Sequence, residues 1–347
     1  MKTEDEALVE SSSVPVLPPE EDEHAEASAR HARNVLAGTL LALVSAVLYT
    51  LTNMCLRAAA HCDMYWVSLL KAVPTFVIAA AIVASRRVRG VPNYPGRAIV
   101  VKLLLTGLLA HIGGNVAFQY GISRIGLAAA VPLTFSTIIV MGSLLGRFYL
   151  GEGISLRSVC AMGLLCVSIG LLGWHTSQAR PIDPAAAAGG GLQVDAWQTV
   201  LAVAATCFSG AAYSVLGVVI RRNVTGNVHS SVVLLIISIS GMVSLGAMSV
   251  ARLGWSGLAA TTPGDLGTML LGGLFNAGGF FLLTRALQLI PVAYVNVVNA
   301  SQTAMAALAG VLYFGESSTA ALFAGVGLMT LGIVFMDRPK HPAKSSR

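Results

Sequence analysis

Charge is scarce in this sequence: 11% of its 347 residues are Asp, Glu, Lys or Arg, while 55% are apolar. Soluble domains carry about 25% charged residues, so the chain cannot keep most of its surface in water. Acid is scarcer still beyond the amino terminus, because nine of the sixteen Asp and Glu residues fall within the first 26 positions. No acidic residue lies deep inside an apolar run, which removes the buried carboxylate that commonly carries a proton or cation across a membrane. Cys55, Cys62, Cys160, Cys166 and Cys207 form no Cys-x-x-Cys pair and no ligand pattern with a nearby histidine, so neither a metal nor a redox site is expected. Phosphate-binding Gly-rich loops, nucleophile elbows and His-Glu-x-x-His helices are missing too. The expectation is a protein that is not an enzyme, needs no cofactor, and has no energy-coupling ATPase module. Some 33 polar residues precede the first apolar run, so no cleaved signal peptide is expected either.

What the sequence has in abundance is long apolar runs. Crossing the ~30 Å hydrocarbon core takes about 20 helical residues, and ten windows qualify: 34–57, 63–84, 98–120, 126–149, 155–174, 196–220, 229–251, 264–284, 291–314 and 318–336. They predict an all-α integral membrane protein. The acidic segment 1–33, rich in Ser, Pro and Ala, reads as a disordered cytosolic tail. The Ala/Gly-rich stretch 175–195 reads as a connector between halves, 252–263 as a weakly polar loop, and 337–347 as a basic cytosolic tail.

The ten windows are two copies of five. Gly151-Glu152 closes one apolar run and Gly315-Glu316 closes another, 164 residues later. The same offset carries Ser45, Tyr49 and Arg57 onto Ser209, Tyr213 and Arg221, and Met141, Gly146 and Gly163 onto Met305, Gly310 and Gly327. Because five is odd, repeats 34–174 and 196–336 enter the membrane from opposite sides. This is the inverted-topology duplication through which many secondary transporters achieve alternating access.

Orientation follows from the basic residues. With the amino terminus inside, at least fifteen Lys and Arg fall at the cytoplasmic side and four, Arg57, Arg124, Arg180 and Arg252, at the outer side, which the positive-inside rule favours. Both termini are then cytoplasmic in a multi-pass protein of the plasma (inner) membrane. Without residues 1–33, which hold three basic and nine acidic residues, the chain keeps 19 basic and 7 acidic ones. That excess belongs to the membrane-flanking loops, so nucleic acid is not an expected partner. The expected partners are the lipid bilayer and a small-molecule substrate, with a homodimer left open.

Leu127-Ala-Ala-Ala-Val-Pro132 leading to Tyr149-Leu-Gly-Glu152, and Pro291-Val-Ala-Tyr-Val leading to Tyr313-Phe-Gly-Glu316, resemble the two halves of EamA-like members of the drug/metabolite transporter superfamily. The glycine-spaced helix behind each Gly-Glu corner, with Gly163 and Gly170 or Gly327 and Gly332, is similar as well. The resemblance covers about residues 34–336. It implies a ten-helix transporter, typically an exporter of small metabolites, with a central cavity walled by the first four helices of each half.

Costly polar residues inside the spans mark candidate positions along a substrate pathway. His111, Asn115 and Gln119 recur at i, i+4 and i+8, on one helical face. Tyr49 and Asn53, Tyr213, Asn276, and Asn296 with Asn299 are further candidates. The competing reading is interhelical hydrogen bonding. Lys71 is the basic residue placed well inside a span; eight residues from Asp63 at 1.5 Å each set it roughly 12 Å along its helix. A positive interior favours a carboxylate-bearing substrate, unless the ammonium snorkels outward. In Gly151-Glu152 and Gly315-Glu316 the carboxylate is expected to cap the helix that follows. The reading is thus a secondary transporter, an exporter of a small amphipathic metabolite such as an amino acid or organic acid. Alternatives are a nucleotide-sugar-type carrier and a non-transporting membrane scaffold or sensor.

The topology is testable directly. Cysteines introduced at Val91 and Gly226 should resist an impermeant thiol reagent in right-side-out vesicles, whereas those at Ala186 and Ala260 should react. Labelling at position 226 from outside would contradict the inverted repeat.

Overall fold

Backbone polar groups have no partner in hydrocarbon, so a chain this apolar must satisfy them within each segment, as a helix does. The structure is a computed structural model that describes residues 19–90, 95–151, 155–178, 196–225 and 228–335, and among these residues there is no strand. The first half contains α1 (Pro19–Ala58), α2 (Met64–Val88), α3 (Arg97–Ile125), α4 (Leu127–Leu150) and α5 (Leu156–Gln178). The second contains α6 (Ala196–Thr225), α7 (Ser230–Ala259), α8 (Pro263–Leu289), α9 (Val292–Asn299), α10 (Gln302–Leu312) and α11 (Ala320–Phe335). Eight spans are long and apolar enough to cross a membrane, with α9 and α10 forming one of them; α5 and α11 carry shorter apolar stretches, Leu156–Leu172 and Ala320–Gly332.

Four features depart from expectation. The first helix begins at Pro19 rather than near residue 34, so residues 19–33 of the expected tail are helical. Proline suits a first helical position, and Ala and Glu, common in this segment, are strong helix formers. The ninth span breaks at Ala300-Ser301 between α9 and α10. Helix α7 runs to Ala259 through much of the expected loop 252–263, with a kink where Gly254 adopts φ 63° and ψ 173°. Helix α3 contains a π-helical stretch, Leu109–Val116, which the 3.6-residue pattern did not foresee. Residues 1–18, 179–195 and 336–347, and with them most of the connector and the basic tail, lie outside the described residues.

The packing follows the duplication. Helix α1 lies along α8 and α6 lies along α3; α2 packs on α7, and α5 on α11. Exchanging the two halves turns the first pair into the second and returns the other two pairs to themselves, as a pseudo-two-fold axis requires.

At one end of the bundle the halves are joined by a buried carboxylate. Glu316 Oε1 accepts from the Leu127 amide at 2.8 Å and from Arg57 Nε at 2.7 Å, while Oε2 accepts from the Ala128 amide at 2.7 Å. Glu316 therefore caps α4 of the first half, not the helix that follows it, because α10 ends beside the free amides of α4. Glycine makes room for it. A Cβ at Gly126, whose φ is +77°, would sit 2.7 Å from the carboxylate, and one at Gly310 would sit 2.5 Å from Oε2. Both corner glycines are left-handed, Gly151 at φ 70° and Gly315 at φ 63°; Glu152 lies outside the described residues.

Removing one partner of a buried ion pair leaves the other uncompensated. Glu316→Gln and Arg57→Met should each lower stability by about 3 kcal/mol, read as thermal or denaturant unfolding in detergent. The double variant should lose clearly less than the sum, because both changes remove one shared interaction.

Candidate functional site

Between the halves lies a cavity of ≈150 Å³, lined from α1 by Tyr49, Thr52 and Asn53, from α2 by Lys71 and Thr75, from α3 by His111, Asn115 and Phe118, and from α4 by Thr134 and Phe135. The second half contributes Tyr213 and Ile220 from α6, Ser238 from α7, Asn276, Phe280 and Leu287 from α8, and Asn296, Asn299 and Gln302 from the broken ninth span. Its lining reaches close to the ends of α6 and α8, away from the Arg57–Glu316 end. Nine sequence candidates meet here: Tyr49, Asn53, Lys71, His111, Asn115, Tyr213, Asn276, Asn296 and Asn299.

Gln119 does not join them. It is buried, and its amide donates to the Leu56 carbonyl at 3.1 Å, tying α3 to the end of α1. The i, i+4, i+8 stripe assumes 100° per residue, whereas a π-helical turn is wider. The π-helical stretch shifts the register, so His111 and Asn115 face the cavity and Gln119 turns away.

Asn115 is the hub of the polar wall. Its Oδ1 accepts from Lys71 Nζ at 2.6 Å and from the Tyr213 hydroxyl at 2.6 Å, and its Nδ2 lies 2.9 Å from His111 Nδ1. An ammonium can only donate, so Lys71 fixes the amide orientation: oxygen toward lysine, nitrogen toward histidine. His111 must then accept at Nδ1 and carry its proton on Nε2. Lysine itself is buried and bonded to Asn115; it does not snorkel. Helix α8 packs against this part of α2, with Gly273 so close that a Cβ would meet the Lys71 carbonyl at 2.9 Å.

Tyr213 reaches Asn115 because α3 has no side chain in the way. A Cβ at Gly114 would lie 2.7 Å from the Tyr213 ring. The duplicate Tyr49 stacks similarly against Gly279, at 3.4 Å from a Cβ built there. The two tyrosines therefore wall the cavity from opposite halves. The remaining polar contacts join helices: Asn276 Nδ2 approaches Thr75 Oγ1 at 3.4 Å, and Asn53 Nδ2 donates to Gln302 Oε1 at 3.2 Å.

Gln302 is the site residue that the sequence reading missed. Its Nε2 donates to the Asn299 carbonyl at 3.1 Å, satisfying backbone that the break at Ala300-Ser301 has freed. Its position three residues after Asn299, on the same helical face, was the available signal. Broken helices at membrane depth occur where irregular backbone lines a cavity. Among the described residues no Asp or Glu lines this cavity, and Lys71 is the one Lys or Arg that does.

Residues 36–174 and 199–337 each match the model of the EamA-like transporter family. A relative from Bacillus subtilis (strain 168), "Uncharacterized transporter YwfM", is 23% identical over 235 residues, covering 62% of this chain and 77% of that protein. A protein crystal structure 16% identical to the chain superposes with a TM-score of 0.60, covering 86% of this chain and 94% of that one. At that identity the likeness is one of fold alone.

The Asn115 hub predicts an asymmetric response to substitution. Asn115→Leu strands the Lys71 ammonium without an acceptor and should cost about 2–4 kcal/mol of stability. Asn115→Asp keeps an acceptor for Lys71 and Tyr213 and should unfold within about 1 kcal/mol of the parent. Unfolding curves of the two variants in detergent distinguish these cases.

Proposed function

The chain belongs to the EamA-like transporter family, and we propose that it is a secondary transporter that moves a small, carboxylate-bearing amphipathic metabolite, an amino acid or related organic acid, outward by alternating access. The observation that carries this reading is a buried lysine without a carboxylate partner: Lys71 is buried, its partner Asn115 is neutral, and among the described residues no carboxylate lines the cavity. A substrate carboxylate would supply the missing charge, replacing or joining the Asn115 carbonyl at the ammonium. Tyr49, Phe118, Phe135 and Tyr213 offer apolar area for the rest of the molecule.

In this reading all ten apolar helices span the plasma (inner) membrane, with both termini in the cytoplasm. The Arg57–Glu316 pair then closes the outer end, and the cavity lining extends toward the cytoplasmic ends of α6 and α8. That arrangement suits a carrier loading from inside. Alternating access would require the carboxylate of Glu316 to leave the α4 amides or the two halves to pivot about it. Proton coupling, if it operates, has His111 and Lys71 as its candidate groups. Protonating His111 at Nδ1 would place two donors face to face with Asn115 and force the amide to turn.

A nucleotide-sugar carrier fits less well. Phosphates call for several cationic side chains, and ≈150 Å³ is well below the roughly 300–1,000 Å³ of sites for drug-sized ligands. A scaffold or sensor would leave the polar cavity without a use.

Proteoliposome flux with a metabolite panel, with and without a pH gradient, tests the proposal. Lys71→Met removes a charged hydrogen bond worth about 1.5–3 kcal/mol, so acid flux should fall roughly 10- to 100-fold while the matched amide is spared. Lys71→Arg should keep part of the acid flux. Acid transport unchanged in the methionine variant would sink the substrate-site role of Lys71.

A further inference from the structure

Away from the cavity, at the end where α1 and α2 join, a histidine, a cysteine and an aspartate converge from the two halves. His61 Nε2 lies 3.1 Å from Asp265 Oδ1, and one ligand atom from each of His61, Cys62 and Asp265 lies within 4.8 Å of the other two. His61 and Cys62 belong to the α1–α2 turn, which is closed by a bond from the Cys62 amide to the Ala59 carbonyl at 3.0 Å. Asp265 comes from the first turn of α8. From the geometry we propose that His61, Cys62 and Asp265 form a three-ligand binding site for a divalent transition metal of the zinc class, pinning the α1–α2 turn of the first half to α8 of the second.

The donor set selects that class. Imidazole, thiolate and carboxylate together suit Zn²⁺ or Co²⁺, whereas Mg²⁺ and Ca²⁺ require oxygen ligands. Tetrahedral bonds of about 2.0–2.3 Å set donor atoms roughly 3.3–3.6 Å apart, so the thiol has at most about an ångström to move and the His–Asp pair almost none. The aspartate is already oriented. Its Oδ2 accepts from the Thr262 hydroxyl at 2.7 Å while its own amide donates to Thr262 Oγ1 at 3.1 Å, which leaves Oδ1 for the metal, in the way outer partners aim a ligand.

Asp63 is not a fourth ligand. Its Oδ1 accepts from the Tyr65 and Trp66 amides and its Oδ2 from Arg252 Nε at 2.9 Å. The fourth position therefore falls to water, which the exposed setting of His61 allows. On binding, bonds form from the metal to Sγ, Nε2 and Oδ1, and the Cys62 thiol releases its proton to solvent. The resulting thiolate and carboxylate balance the dication. The sequence reading expected no metal site because the cysteines are scattered; it passed over the His61-Cys62 neighbours, whose third ligand arrives only through the packing of α1 on α8.

The test uses full-length protein in detergent micelles, freed of any affinity tag and of metal, titrated with Co²⁺. A thiolate-to-cobalt charge-transfer band should saturate at one equivalent and disappear when Zn²⁺ is added. Cys62→Ser should abolish the band, and His61→Ala and Asp265→Asn should each weaken binding by more than about 100-fold, beyond the cost of losing an outer partner of a ligand. Metal-free melting curves of the three variants should match the parent, so that loss of binding is not loss of fold. A missing band, or one that survives Cys62→Ser, overturns the site. The consequence for transport rests on the carrier reading and is measured separately. Zn²⁺ outside oriented proteoliposomes should slow flux of the parent and not of Cys62→Ser; binding without slowing would leave the metal site standing and refute its control of the outer end.

Discussion

Two backbone amides and one guanidinium around the carboxylate of Glu316 hold the halves of this protein in register. Leu127 and Ala128 present the unsatisfied N–H groups of the α4 amino terminus, and Arg57 brings the end of α1. A helix end buried without partners is costly, and a buried charge without partners is costlier; each solves the other's problem. Because the three segments come from both copies of the duplication, the contact is a fastening between repeats and not a local cap. Gly126 and Gly310 exist at their positions with no side chain because the carboxylate occupies that space. The duplicated arginine, Arg221, does related work at the opposite end, donating to the carbonyls of Leu287 and Ile290 where α8 gives way to α9.

A frame fastened in this way encloses a cavity whose scaffold is symmetric and whose chemistry is not. Tyr49 and Tyr213 press against glycines of α8 and α3 in matching fashion, as the duplication requires. Lys71, His111 and Asn115 all come from the first half, and among the described residues the second half contributes only neutral groups to the lining. A solute inside would meet an ammonium on one wall and amides on the other. The break between α9 and α10 adds to this asymmetry: α4, its counterpart in the first half, is continuous through the cavity while Gln302 and Asn299 rearrange around freed backbone.

Local periodicity carried the sequence reading a long way and failed at identifiable points. It brought Tyr49, Asn53, Lys71, His111, Asn115, Tyr213, Asn276, Asn296 and Asn299 forward as a group because intramembrane polar groups are expensive enough to need a reason. It included Gln119 because it assumed one uniform helical pitch, which the π-helical stretch at Leu109–Val116 interrupts. It left out Gln302 although the spacing from Asn299 pointed to it, and hydropathy does not mark a helix that stops for two residues and resumes. Segment 19–33 was assigned to a disordered tail on composition, although a proline start and strong helix formers extend α1 into it.

The sequence by itself determined the helical, membrane-spanning nature of the chain, its two copies, and the family to which it belongs, since these depend on how many apolar residues follow one another and on what recurs at a fixed offset. Tertiary structure decided which groups meet. That Glu316 caps α4 rather than its own successor, that Lys71 finds Asn115, and that His61 and Cys62 face Asp265 all depend on how closely helices from different halves approach. That approach is set by glycines and by packing across the pseudo-two-fold axis, and neither is written in the order of residues along a single helix.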